Sequence, residues 1–435
     1  MMKGDFPLVI LIGLFLSFST FSIAQLTNDH KKQILLDIGK VLSERYVFPE
    51  KALSMESIVL ENLIAGNYDT ITNGSYFAAQ LTKDLRGISK DLHLSVSYNG
   101  NETSTESNPS KEAQEQEQWL ENILKENSFG VTKTAIIEGN IGYIEMPLFG
   151  PLDRCADTLV AAMAKVVDTK ALILDLRNCR GSLDENAIPF LCSYFFKESV
   201  HLFDFYVRKS NSTKQFWTYS WLPYQKYVDK PIYILTSGRT FSGGEELSYD
   251  LQQQNRGIVI GEITKGGANP TEKVLANSNY SVAVPYMQSI NPISKTNWDG
   301  IGVVPDIQVN SNMALHIAHR SALDTIFKTT YNSMEKEILA TQIKNIELAA
   351  PQFRKTNFIL KGFKDAKEVS VSGSFNFWGT PLSLTKHEDV WRVEAEVATG
   401  IVHYKFIVDG QWIIDPDNPR TTKANGHTNS VLEIN

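Results

Sequence analysis

Residues 231–251 read PIYILTSGRTFSGGEELSYDL: an unbroken apolar run, a short polar turn, Ser242, then two glycines opening a helical pattern. An apolar run without alternation suits a strand covered on both faces, as in a parallel sheet. A serine at such a strand-to-helix junction is exposed by the turn, and the N–H groups of the first helical turn point at any oxyanion forming beside it. A plain N-cap serine followed by a tight glycine turn accounts for the same residues. The surroundings have to decide between nucleophile and cap.

Around this stretch, short strands alternate with helices. NIGYIEMP (140–147), ALILDLR (171–177), PIYILTS (231–237) and GIVIGE (257–262) read as buried strands; ADTLVAAMAKVVD (156–168), AIPFLCSYFF (187–196) and GGEELSYDLQQQ (243–254) read as helices. The pattern predicts an α/β core, a mostly parallel sheet between helical layers, over 133–345, its end a helical appendix. Upstream, residues 25–100 carry a helical stripe, Ile34, Ile38, Val41, Leu42 and Tyr46, and predict a helical N-terminal unit. The apolar-poor segment 101–132 reads as a linker. After Pro351, alternating runs such as EVSVSGSF (368–375) and VWRVEAEV (390–397) predict a separate β-sandwich over 351–435.

Residues 1–24 have the layout of a cleavable signal peptide: Lys3, an apolar run from Leu8 to Leu16, then Ser22-Ile23-Ala24 before Gln25. Export to a periplasmic or extracellular space is expected, with no membrane span after cleavage. The chain has 42 Lys and Arg against 49 Asp and Glu, a net charge of −7, which gives no basis for a nucleic-acid partner. Cys155, Cys179 and Cys192 are odd in number and lack metal-ligand spacing; one disulfide is compatible with them, a fully paired framework is not.

Several spaced segments resemble, in order, the tail-specific (C-terminal-processing) proteases: DLHLSV (91–96), LILDLRNCRG (172–181), TFSGGEEL (240–247), VIGEITKGGANP (259–270) and INPISKTNWDGIGVVPD (290–306). Within that family the chain looks closest to the branch of interphotoreceptor retinoid-binding protein and the tricorn-like peptidases, over roughly residues 28–325. The resemblance implies a ClpP/crotonase-like protease core and a serine-type peptidase acting on a peptide or protein substrate through an acyl-enzyme, without metal or organic cofactor. Where the bacterial processing branch carries its lysine base, this chain has Gly267, with Lys265 two residues earlier. The histidine branch keeps its base in a D-x-H segment, which here is Asp91-Leu92-His93 and implies His93 as general base. By the same resemblance Asp299 fixes the imidazole or polarises it through another side chain, and the Gly243 N–H with a donor from the loop at Gly181 holds the oxyanion. Lys265 as base, and a non-catalytic ligand- or peptide-binding protein on the same fold, stay open as alternatives.

The segments GSFNFWGTPLSL (373–384), VHYKFIVDGQWIIDP (402–416) and GHTNSVLEI (426–434) resemble the glycogen-binding domain of the AMP-activated kinase beta subunit. That implies an immunoglobulin-like early-set sandwich and a glucan-type carbohydrate partner, with Trp378 and Trp412 stacking on sugar rings and Lys405 and Asn429 donating hydrogen bonds. A core-and-brace role for these aromatics is one competing reading, and a carbohydrate-associated envelope protein in which the sandwich supplies the function is another.

Overall fold

The computed structural model describes residues 26–100, 109–424 and 426–435; the expected signal peptide lies outside them. Three helices, Asn28–Arg45, Pro49–Ile64 and Gly74–Ser89, begin the described chain. Thr27 caps the first and Asn73 the third by accepting backbone N–H groups, and Pro49 starts the second where a missing N–H costs nothing. The stripe seen in the sequence, from Ile34 to Leu42, is buried.

This helical unit does not close its core alone. Leu94 and Val96 join Tyr280, Val282 and Val284 in the same apolar cluster as Leu35, Ile38, Phe77 and Leu81. The strand Ser95–Tyr98 pairs antiparallel with Tyr280–Pro285, which pairs with Thr271–Leu275. Burying such side chains stabilises by about 1.5–3 kcal/mol each, so this shared roof fixes the N-terminal unit on the core. The register Ser95↔Ala283 sets the position of His93, two residues before the strand.

The central sheet has the order Ile307–Gln308, Ile258–Gly261, Ile232–Thr236, Ala171–Asp175, Ile141–Glu145, Lys133–Ile137, all parallel except the last pair. Alternate residues serve opposite layers. Leu172 and Leu174 pack with Leu159, Met163, Leu247 and Leu251 on one face; Ala171 and Ile173 pack with Ala314, Ala318, Ala322 and Leu323 on the other. The alanines recur every four residues along Ser311–Thr329, which lets that helix lie close against the sheet. Within the segment 101–132, residues Pro109–Glu126 form a helix whose Leu120, Ile123 and Leu124 pack on Leu148 and Cys155. The three cysteines are unpaired and buried. Among the described residues no helix is long and apolar enough to cross a membrane.

From Phe353 onward two antiparallel sheets form the sandwich, one of three strands and one centred on Gly400–Val408. Phe358, Leu360, Val371, Trp391 and Phe406 fill the space between them.

Candidate active site

The site lies at the carboxyl ends of the parallel strands, where loops after Ala171–Asp175 and Ile232–Thr236 meet. Ser242 is half-buried there, at the N-cap of Gly243–Gln253, with φ 52° and ψ −119°. That conformation is strained for a residue with a side chain and survives only where its surroundings over-determine it. Glu245 is the main restraint. Its enclosed carboxylate accepts from Ser242 N (2.8 Å), Gly267 N (2.9 Å), Gly266 N (2.6 Å) and Thr264 Oγ1 (2.5 Å). Four donors and no acceptor face it, which favours the carboxylate even though burial pushes the group up to about 7. The Ser-x-x-Glu spacing of a capping box could have flagged this role from the sequence, where Glu245 reads only as a helix residue. Glu245→Ala is expected to destabilise the protein by roughly 3 kcal/mol or more, because it strands several buried donors; chemical denaturation measures it.

Gly181, at φ +126°, is pressed against the serine: a Cβ added there would lie 3.0 Å from Ser242 Cβ and 3.4 Å from Oγ. Its own N–H is drawn to the Cys179 sulfur, where it works against the burial that pushes that thiol up to about 12. The N–H groups of Gly243 and Ser182 have no hydrogen-bond acceptor among the described residues. They are neighbours, since a Cβ on Gly243 would come within 2.9 Å of Ser182 N.

His93 reaches the same place from the other end of the chain. Its ring packs on Phe241, the residue before the serine, with centroids 4.5 Å apart. Burial, then the charges of Arg86 and Lys265, hold the imidazole down to about 4, so it is neutral at physiological pH. Asp91 Oδ1 accepts from His93 N at 3.1 Å and lies 4.0 Å from Nδ1, too far for a hydrogen bond; Nδ1 is buried and unpartnered. Among the described residues no hydrogen bond joins Ser242 to His93. Gly267 lines this contact, and the reason it is glycine is steric: a Cβ would meet Phe241 Cε2 at 2.2 Å and His93 Cε1 at 2.8 Å. Gly267→Ala is therefore expected to lower kcat/KM about 100-fold by displacing the imidazole, with melting temperature little changed.

Asp299 does not bond to His93. Its Oδ1 accepts from Ala268 N at 3.3 Å, and burial followed by the charge of Asp91 pushes its carboxyl up to about 7. Asp91 is the carboxylate beside the imidazole, steadied by Asn269 (3.1 Å) and Tyr46 (3.4 Å). Lys265 lies nearer than its two-residue displacement implies, with Nζ 4.8 Å over the Phe241 ring. Burial lowers its pKa. No cluster that could hold a metal ion occurs among the described residues.

In the sandwich, Trp378 and Trp412 stand as neighbours with ring centroids 6.1 Å apart. Trp412 is exposed and Lys405 half-buried, while Asn429 is buried.

Residues 140–309 match the model of peptidase family S41, residues 20–131 that of the N-terminal domain of this peptidase family in eukaryotic IRBP, and residues 356–435 the glycogen recognition site of AMP-activated protein kinase. The chain is 31% identical over 100 residues to the human 5'-AMP-activated protein kinase subunit beta-2 and 37% identical over 102 residues to the rat beta-1 subunit. Each match takes in 23% of this chain and 37% of the subunit, so the chain spans little more than a third of these relatives. Among solved structures, the photosystem II D1 C-terminal processing protease aligns at 15% identity and TM-score 0.39 over 65% of this chain and 94% of that one. A lipoprotein from Streptococcus agalactiae aligns at 15% identity and TM-score 0.44 over 67% and 96%. The matches at 20–131 and 140–309 give this chain an N-terminal domain and a core of the S41 peptidase type, and it is a serine peptidase joined to a C-terminal domain of the glycogen-recognition type.

Proposed function

We propose that the protein hydrolyses peptide bonds through an acyl-enzyme on Ser242, with His93 as general base. The observation that carries this is the strained Ser242 elbow, with the neutral imidazole of His93 packed, tilted by 32°, on the adjacent Phe241. His93 takes the Ser242 proton as Oγ attacks the scissile carbonyl, then returns it to the leaving amine; water repeats the cycle on the ester. Proton uptake makes the imidazolium, and Asp91 is the anion placed to stabilise it once Nδ1 closes the 4.0 Å gap, as catalytic hydrogen bonds do when substrate binds. Asp299 accepts from Ala268 N and does not touch the ring. The oxyanion is held by the Gly243 N–H and by a donor from the loop after Arg180, where the Gly181 and Ser182 N–H groups both lack a backbone acceptor among the described residues. Gly181 also leaves room for the serine. Incubating the purified chain with an unfolded protein and sequencing the new termini tests the reading. Cleavage by wild type is expected, and folded wild type that produces no new termini would overturn it.

The layout of residues 1–24 supports export with cleavage after Ala24. Mature protein recovered outside the cytoplasm should begin at Gln25; an intact leader on it contradicts this. The paired indoles of Trp378 and Trp412 support a glucan chain as a second partner of the C-terminal domain.

A further inference from the structure

The turn that carries Trp378 is docked on the loop that carries Ser242. Arg239, three residues before the nucleophile, donates from Nη1 to the Phe377 carbonyl at 3.1 Å. Backbones touch as well: a Cβ on Gly379 would lie 2.9 Å from Arg239 N, and one on Gly238 would lie 3.2 Å from Thr380 Oγ1. The Phe377 ring covers the Arg177 guanidinium, 4.8 Å from its centre, and Asn312 donates to the Phe375 carbonyl at 2.7 Å.

Arg177 belongs to the other loop of the site. Its guanidinium grips Asp175 through two bonds, 2.9 and 2.6 Å, and its carbonyl accepts from Ser237 Oγ at 2.6 Å. Ser237 Oγ in turn accepts from Arg239 N, and Thr240 Oγ1 bonds both Ser237 N and the Leu176 carbonyl. The sandwich turn therefore presses on both loops that set the elbow, at the start of a short path that is hydrogen-bonded as far as Thr240 and covalent from there to Ser242. Three residues from Arg239 to Ser242 span at most about 11 Å, so the turn acts at close range. Its own backbone is under tension, with Phe377 at φ 55° and Trp378 at φ 56°, consecutive left-handed conformations that docking has to hold.

We infer that Phe377 is a positioning residue for Ser242, and that an α-glucan stacked on Trp378 and Trp412 raises turnover at Ser242 by favouring the docked form of this turn. A ligand shifts such an equilibrium only by binding one form better, and Trp378, next to Phe377 in the strained turn, supplies that difference. The inference rests on the Ser242 reading and names a regulator of that site, the carbohydrate partner of the C-terminal domain.

The test uses the full chain and two readouts, the rate of fluorophosphonate labelling and kcat and KM on a fluorogenic peptide. Phe377→Ala is expected to slow labelling and kcat at least 10-fold with KM within 2-fold, Phe377→Tyr to restore both, and the exposed Lys355→Ala to leave them unchanged. Wild type that never labels defeats the Ser242 reading itself, whereas labelling wild type with an equally reactive, folded Phe377→Ala overturns only the positioning role. On wild type, maltoheptaose at saturation is expected to raise the labelling rate at least 3-fold. This arm decides the matter even where Phe377→Ala does not fold: maltoheptaose that fails to bind, or binds without changing the rate, overturns the coupling.

Discussion

Ser242→Ala is expected to reduce peptide hydrolysis by about 10⁶-fold while leaving the melting temperature close to wild type. Loss of a serine nucleophile removes the covalent route altogether, and what remains comes from the oxyanion site and binding alone. The fold should tolerate the change, because the bonds that hold the elbow run through the backbone N–H of residue 242 to Glu245 rather than through the hydroxyl. Active-site titration and kcat/KM on one peptide measure the effect. Residual activity within 100-fold of wild type would mean that another group forms the acyl-enzyme.

His93→Ala is expected to cost about 10⁴-fold or more in kcat/KM, whereas Lys265→Ala is expected to cost less than 10-fold; the opposite ranking would assign the base to Lys265. The pH profile gives an independent check. Burial and the charges of Arg86 and Lys265 hold His93 down to about 4, so the free base persists well below the usual histidine range. The acid limb of kcat/KM should therefore fall near pH 4–5, and activity at pH 5.5 should stay within 2-fold of that at pH 7. A limb near 6.5 would show that the group controlling the reaction is not in this environment. Folding runs in the same direction: the unfolded chain protonates His93 below about 6.5 and the native protein only near 4, so this group lowers stability as pH falls through that window. Profiles need a fluorescence check that the protein stays folded.

The α/β core was legible because its strands are buried on both faces and read as unbroken apolar runs, and the sandwich because its strands alternate. Ser242 and His93 were singled out by short ordered motifs. What local reading could not supply was long-range pairing. Nothing local in residues 280–284 tells that they form the strand that completes the helical unit and thereby aims His93. Asp299 was chosen on its motif, yet the carboxylate beside the ring is Asp91, two residues from His93 and part of the D-x-H segment itself. Gly267 looked like a lysine lost; three dimensions give it a purpose, since anything larger collides with Phe241 and His93. Glu245 was hidden for a different reason. A glutamate in a first helical turn is ordinary, and only the fold brings Thr264, Gly266 and Gly267 to it.

The central claim is that Ser242 is a nucleophile activated by His93. Fluorophosphonate treatment of the full-length protein at pH 7, followed by peptide mapping, tests it in one experiment. A single adduct on Ser242 is predicted, with labelling lost in His93→Ala. An adduct on a different residue, or Ser242 labelling at an undiminished rate in folded His93→Ala, would contradict it.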